Sequence, residues 1–126
     1  MIHRSDAYTW SGTVTITEDD ATGLSTSIDA RGGANYISIT IPIEWTAAQI
    51  TFKASVDNLT FYDIRTDGYV ELIVETVPGI SVPLTPAQVD ALTIWPYLKV
   101  RSGTSAGPVT QLTADKILTL MFERVD

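Results

Sequence analysis

Alternation with period two runs through most of this 126-residue chain. Val14 and Ile16 are set among Thr13, Thr15 and Thr17; Ile37, Ile39 and Ile41 are separated by Ser38 and Thr40; Ile50, Phe52 and Ala54 by Thr51 and Lys53. Successive side chains of a strand point to opposite faces, so each run predicts a strand with one face in a core and the other in water. Further runs fit over 60–65, 70–75, 80–84, 95–101 and 117–125, which makes about eight strands at the spacing of a sandwich or barrel. The apolar phase of these runs gives the expected core: Val14, Ile16, Ile37, Ile39, Ile50, Phe52, Val70, Leu72, Val100, Leu118 and Leu120.

The connections carry turn chemistry. Asp19-Asp20-Ala21-Thr22-Gly23, Arg31-Gly32-Gly33, Asp57-Asn58, Asp67-Gly68 and Pro78-Gly79 supply residues that accept positive φ or bond locally to the backbone. Asp67-Gly68, between Phe61–Arg65 and Tyr69–Leu72, suits the primed turn of a tight hairpin. In Leu84-Thr85-Pro86-Ala87-Gln88-Val89-Asp90-Ala91-Leu92, Thr85 is a helix cap, Pro86 suits the first helical position and Gln88 completes a capping box. This predicts two helical turns that bury Val89 and Leu92. Pro96 cannot donate to a ladder, so the next strand starts near Tyr97 or lies at an edge. The expected fold is all-β: a two-sheet antiparallel β-sandwich, jelly-roll-like, with one short helix. Residues 11–126 form its single domain, preceded by an N-terminal arm over 1–10.

Composition narrows the function classes. Eight basic residues against 15 acidic give a formal net charge of −7, which disfavours binding to a phosphate backbone. The absence of cysteine removes disulfides, thiolate metal sites and cysteine nucleophiles. No segment reaches the roughly 20 apolar residues of a membrane helix, and the N-terminus lacks the apolar run of a signal peptide. A soluble protein without a nucleic-acid or membrane partner, made without a cleaved signal, is expected.

A search for catalytic groups returns little. His3 is the one histidine and stands near the chain start, a poor base for a triad or a metal site. Asp57, Asp63, Glu71 and Glu75 are the carboxylates a glycosidase pair would draw on, but Asp57 reads as a turn residue and the others as solvent-face positions. Ser55-Val56-Asp57-Asn58 approaches the Asp-box turn of sialidase-like propellers, yet it lacks the Gly and occurs once, so a locally bonded turn is expected. Glu18-Asp19-Asp20 lacks the ligand spacing of a calcium loop, and Arg31-Gly32-Gly33 that of a phosphate loop. No enzyme activity, no metal and no cofactor is expected. Aromatic residues remain as recognition candidates: Trp10, Trp45, Trp95, Tyr62 and Tyr97 are a possible sugar platform or protein interface, with Trp45 and Phe61 assigned to the core.

One wording stands out. Trp45-Thr46-Ala47-Ala48-Gln49-Ile50-Thr51-Phe52, Ser55-Val56-Asp57, Thr60-Phe61-Tyr62 and then Leu98-Lys99-Val100-Arg101-Ser102-Gly103-Thr104-Ser105, leading to Gln111 and Ala114-Asp115-Lys116, together resemble small structural proteins of tailed-phage virions. The resemblance spans Ile41 to Leu120. The pattern has Arg where Lys116 stands and often Gly where Asn58 stands; both departures keep charge or turn character. It implies a capsid decoration (cement) protein, a homo-oligomer (dimer or trimer) bound to the major capsid protein on the outer surface of the virion. The alternative it leaves open is a carbohydrate-binding module of a head or tail fibre. Candidate interface residues are Ile2, His3, Arg4, Tyr8, Trp10, Tyr62 and Tyr97: the first five because Met1 to Trp10 is more apolar and more basic than an idle terminus of an acidic protein. Ser102 to Val109 is expected to be an ordered surface turn, with Gly103 and Gly107 relaxing the backbone and Thr104 and Ser105 satisfying its amides.

Overall fold

Strands pair first with last. A computed structural model describes residues 7–66 and 69–125. In it β1 (Ala7–Ile16) pairs with β8 (Lys116–Val125), β2 (Ile28–Asp29) with β7 (Tyr97–Ser102), β3 (Tyr36–Thr40) with β6 (Ser81–Pro83) and β4 (Ile50–Ser55) with β5 (Tyr62–Asp63), all antiparallel. Such nesting is what results when one long antiparallel ribbon is rolled up. The roll is closed by β3 against β8 and β4 against β7, which gives two four-stranded sheets, β1-β8-β3-β6 and β2-β7-β4-β5. This is the jelly roll expected from the alternation.

Each sheet turns its apolar phase inward. Val14, Ile16, Ile37, Ile39, Leu118, Leu120 and Phe122 from the first meet Ile50, Phe52, Ala54, Leu98 and Val100 from the second, all buried. Ten of the eleven expected core residues are in this core. Val70 is not: it is 61% exposed. Tyr69 before it has φ +62°, which breaks the extended backbone and leaves Val70 beyond the sheet, while Leu72 and Val74 regain the inward phase. The expected strand over 70–75 accordingly forms no ladder, only the isolated bridges Arg65–Glu71 and Ile50–Val74. The Asp67-Gly68 dipeptide lies outside the described residues, but its flanks are joined by a hydrogen bond from Thr66 N to Val70 O. In place of that strand the second sheet gains β2, whose two residues are too few to show a period.

Helix α1 (Pro86–Leu92) has the cap read from the sequence: Thr85 accepts from Gln88 N, Gln88 accepts from Thr85 N, and Val89 and Leu92 are buried. β7 starts at Tyr97, directly after Pro96. Residues 7–10 of the expected arm belong to β1, with Ala7 opposite Val125 and Trp10 opposite Phe122; residues 1–6 lie outside the described residues. Among the described residues no helix is long and apolar enough to cross a membrane.

Candidate functional site

The residues that carry the resemblance converge on one side of the second sheet and on one end of the roll. Arg101 lies on the outward phase of β7, where alternation places a solvent residue, yet it is 4% exposed. Two segments meet beside it. The 64–75 stretch brings Glu71, and the turn after β7 bonds to Glu71 through Ser105 N. Arg101 Nη1 donates to Asp63 Oδ1 at 2.8 Å, Nη2 donates to the same oxygen, and Nε donates to Thr51 Oγ1 at 3.2 Å. Glu71 Oε2 stands 3.9 Å from Nη2, and Lys53 Nζ stands 3.8 Å from Asp63. Glu71 then accepts from Ser105 N at 3.1 Å, which ties the turn to the cluster.

That turn is built from the inside. Gly103 takes φ +92°, and a Cβ there would lie 2.7 Å from Val109 N. No side chain fits without moving backbone. Thr104 N and Gly107 N each donate to the other residue's carbonyl, and Thr104 Oγ1 accepts from Gly107 N, as expected of this Thr. Two points differ from the sequence reading: Ser102 and Gly103 are buried, and the Ser105 amide is satisfied by Glu71 instead of locally.

Gln111 and Lys116 act at the end of the roll. Gln111 is fully buried; its amide nitrogen donates to Thr46 O and Ser102 Oγ, and its oxygen accepts from Thr46 N at 2.9 Å. Lys116 sits on the inward phase of β8, and its ammonium reaches the carbonyls of Leu112 and Ala114. Asp115 accepts from Glu18 N at 2.8 Å. Gln111 and Lys116 each serve a backbone segment that has no ladder partner, which is the condition for burying them, while Asp115 does the same from the surface. The sequence signal for them was the shared wording itself; alternation did not mark them.

Carboxylates considered for catalysis are placed as follows. Asp63 and Glu71 share one guanidinium, and Glu75 accepts from Gln49 Nε2 at 2.7 Å. Asp57 anchors a turn: its Oδ1 accepts from the backbone N–H of Leu59 and Thr60 and from Ser55 Oγ, while Asn58 holds φ +61°. The Leu59 and Thr60 amides, followed by the Ser55 hydroxyl, hold its pKa below the ordinary value. Asp20 is lowered too, by the hydroxyl and then the amide of Thr22. Both shifts run opposite to what a general acid requires. Among the described residues no group of three or more His, Cys, Asp or Glu is placed to hold a metal ion.

A lowered folded pKa means that Asp57 contributes stability above its unfolded pKa and loses it as pH falls through the folded value. Asp57→Ala is therefore expected to lower the melting temperature at pH 7, and the gap from the parent should close on acidification below the carboxylate range. Thermal melts of both proteins across that range check this; a gap that stays constant into strong acid would show that the carboxylate is not what holds the turn.

Of the candidate interface residues, Ile2, His3 and Arg4 lie outside the described residues. Trp10 is a core residue at 9% exposure, stacked on Phe122 with ring centroids 5.5 Å apart and with the Arg31 guanidinium over its ring at 5.7 Å. Its indole Nε1 is buried without a hydrogen-bond partner. Tyr8 is exposed beside it, under the Arg124 guanidinium at 4.7 Å. Tyr62 is exposed and tilts against Trp95 at 6.3 Å, whereas Tyr97 is half-buried on the outer face of β7. Tyr8 and Tyr62 therefore do not form one platform with Tyr97. Trp45 is in the core, its Nε1 donating to Ala48 O. Phe61, assigned to the core from sequence, is half-buried with the Lys99 ammonium 4.6 Å above its ring.

No family model and no curated protein matches the chain. Among solved structures it is similar to an SPBc2 prophage-derived protein, YomS, with a TM-score of 0.49, 9% identity, and coverage of 92% of this chain and 95% of that one. That neighbour is of phage origin; overlap this loose assigns no role to the present chain.

Proposed function

We propose that the protein is a non-enzymatic part of a tailed-phage particle, a decoration protein that binds the outer surface of the major capsid protein lattice and stabilises the head. One observation supports this reading above others. Among the residues through which the chain resembles virion proteins, Arg101, Ser102, Gly103 and Gln111 are buried ones that fix loops onto the roll. A likeness at such positions reflects a shared way of building the domain, where a likeness among surface residues would be easily met by accident. The acidic balance suits a module repeated over the outside of a particle.

Purified protein added to capsids assembled without it should saturate them at a fixed number of copies per capsid and raise the temperature at which the shells break. Protein that instead leaves capsids bare and sediments with cells or polysaccharide would replace this reading with a sugar-binding one. For that second reading the exposed Tyr62, tilted against Trp95, is the surface to mutate.

A further inference from the structure

A sheet edge is a row of unpaired N–H and C=O groups, and proteins blunt it with short strands, prolines, charges or bulges. Three of the four edges here are blunted: β2 and β5 have two residues each, and β6 has three including Pro83. The fourth is β1, ten residues long. It contains no proline and no charged residue, and its register with β8 runs unbroken from Ala7–Val125 to Ile16–Lys116, so no bulge bends it away.

Which groups face outward along this edge follows from its far end. Thr15 O accepts from Thr26 N, and Thr15 N donates to Thr26 Oγ1, both on the side away from β8. In an antiparallel ladder alternate residues turn both backbone groups to the same side. Thr9, Ser11 and Thr13 therefore present N–H and C=O to the open side, where β1 has no described pairing other than the bridge at Ile16–Ser25.

We infer that this edge pairs with β1 of a second copy of the chain, antiparallel across a two-fold axis, to join the two β1-β8-β3-β6 sheets into one of eight strands. Charge selects a second copy over a foreign strand. Two bodies of net charge −7 repel wherever acids face each other. β1 has no charge, and the outward residues of β8 and of β3 beyond it are Ile117, Thr119, Met121, Glu123, Val125, Tyr36, Ser38 and Thr40, with one acid among them. Glu123 is the one charge among them, so this face offers little to the complementary charge of a basic or acidic partner segment. The pairing is also self-complementary. The open span 7–13 is centred on Trp10, so Thr9 comes opposite Ser11 of the second copy, and Ser11 opposite its Thr9, hydroxyl beside hydroxyl. Since each copy has one long open edge, the contact closes at two subunits and does not propagate. The inference is independent of any capsid role, and its test needs no capsid.

Ser11→Pro removes an N–H that faces the open side and spares the β8 ladder, so the fold is expected to survive it. Thr13→Pro, which removes the next outward N–H on the same edge, is the second variant, and decides the matter if Ser11→Pro does not fold. By sedimentation or light scattering over a concentration series, the parent should be a dimer, and each folded variant should dissociate with an affinity lower by roughly thirtyfold or more, the equivalent of two lost edge hydrogen bonds. A parent that stays monomeric, with the edge covered by its own residues 1–6 or left for a foreign strand, overturns the inference. So does a trimer or larger ring, or a dimer that neither variant weakens.

Discussion

Phe52→Ala should destabilise the protein by about 3–5 kcal/mol, the range for emptying a fully buried phenylalanine site. Phe52 is 1% exposed, lies on the inward face of β4 opposite Val100, and is held between β7 and β5. Its ring faces the first sheet from a central strand whose neighbours are hydrogen-bonded on both sides, so the backbone has little freedom to collapse into the vacated space. For a domain of this size the loss corresponds to a fall of roughly 10–20 °C in melting temperature. Val70→Ala provides the contrast. Alternation alone ranks both as core, but Val70 is exposed at the end of its hairpin, and its truncation should stay within about 0.5 kcal/mol. Denaturant melts of the two variants read this directly. A comparable loss at both sites would mean that the 64–75 stretch packs inward in solution, and a small loss at Phe52 would contradict the placement of β4 in the core.

The contrast also shows what the sequence made legible. Long half-buried strands write their own pattern: β3, β4 and β8 were readable because Ile, Phe and Leu recur at every second position against Ser, Thr and Lys. The helix was readable because its cap is a local hydrogen-bond device whose partners are three residues apart. The Ser55–Asp57 turn was readable for the same reason. What failed was set by tertiary closure. β2 and β5 are strands only because a longer neighbour offers them a ladder, and two residues show no period. Trp10 was placed in the arm because nothing local says that β1 extends to Ala7; its ten-residue match to β8 does.

Buried charges mark the same limit from the other side. Arg101 stands on the polar phase of its strand, so periodicity assigns it to water; it is buried with Asp63, Thr51 and Glu71 around its guanidinium, and Glu71 comes from a stretch that alternation does not place there. Lys116 was missed differently. It stands in phase with Leu118, Leu120 and Phe122, but a strand begun at Ile117 excludes it, and the two carbonyls that hold it belong to the preceding loop. In both cases the side chain fixes a loop that alternation cannot describe. The β1 edge was invisible for a related reason: whether a strand is an edge depends on the order of strands in the sheet, which no local window contains.

Arg101→Met should cost about 2–4 kcal/mol, with the apolar stem kept and only the cation removed. Breaking a buried ion pair from one side ordinarily costs about 3–5 kcal/mol because the remaining charge is left desolvated. The lower figure applies here because the Asp63 side chain is 36% exposed and water can take over part of its solvation, whereas Glu71 at 13% keeps most of the penalty. Arg101→Lys should recover little, since one ammonium cannot reproduce the fork that serves Asp63 through two nitrogens and Thr51 through a third. The decisive variant combines Arg101→Met with Asp63→Asn and Glu71→Gln. If the loss comes from stranded carboxylates, neutralising them returns more than half of it, even though the triple variant has fewer polar contacts than the parent. If the triple variant is as unstable as Arg101→Met alone, the guanidinium acts through packing of the turn over the sheet and not through charge. A melting temperature unchanged in Arg101→Met would show that the cluster is solvated, and with it that neither loop closes over the second sheet.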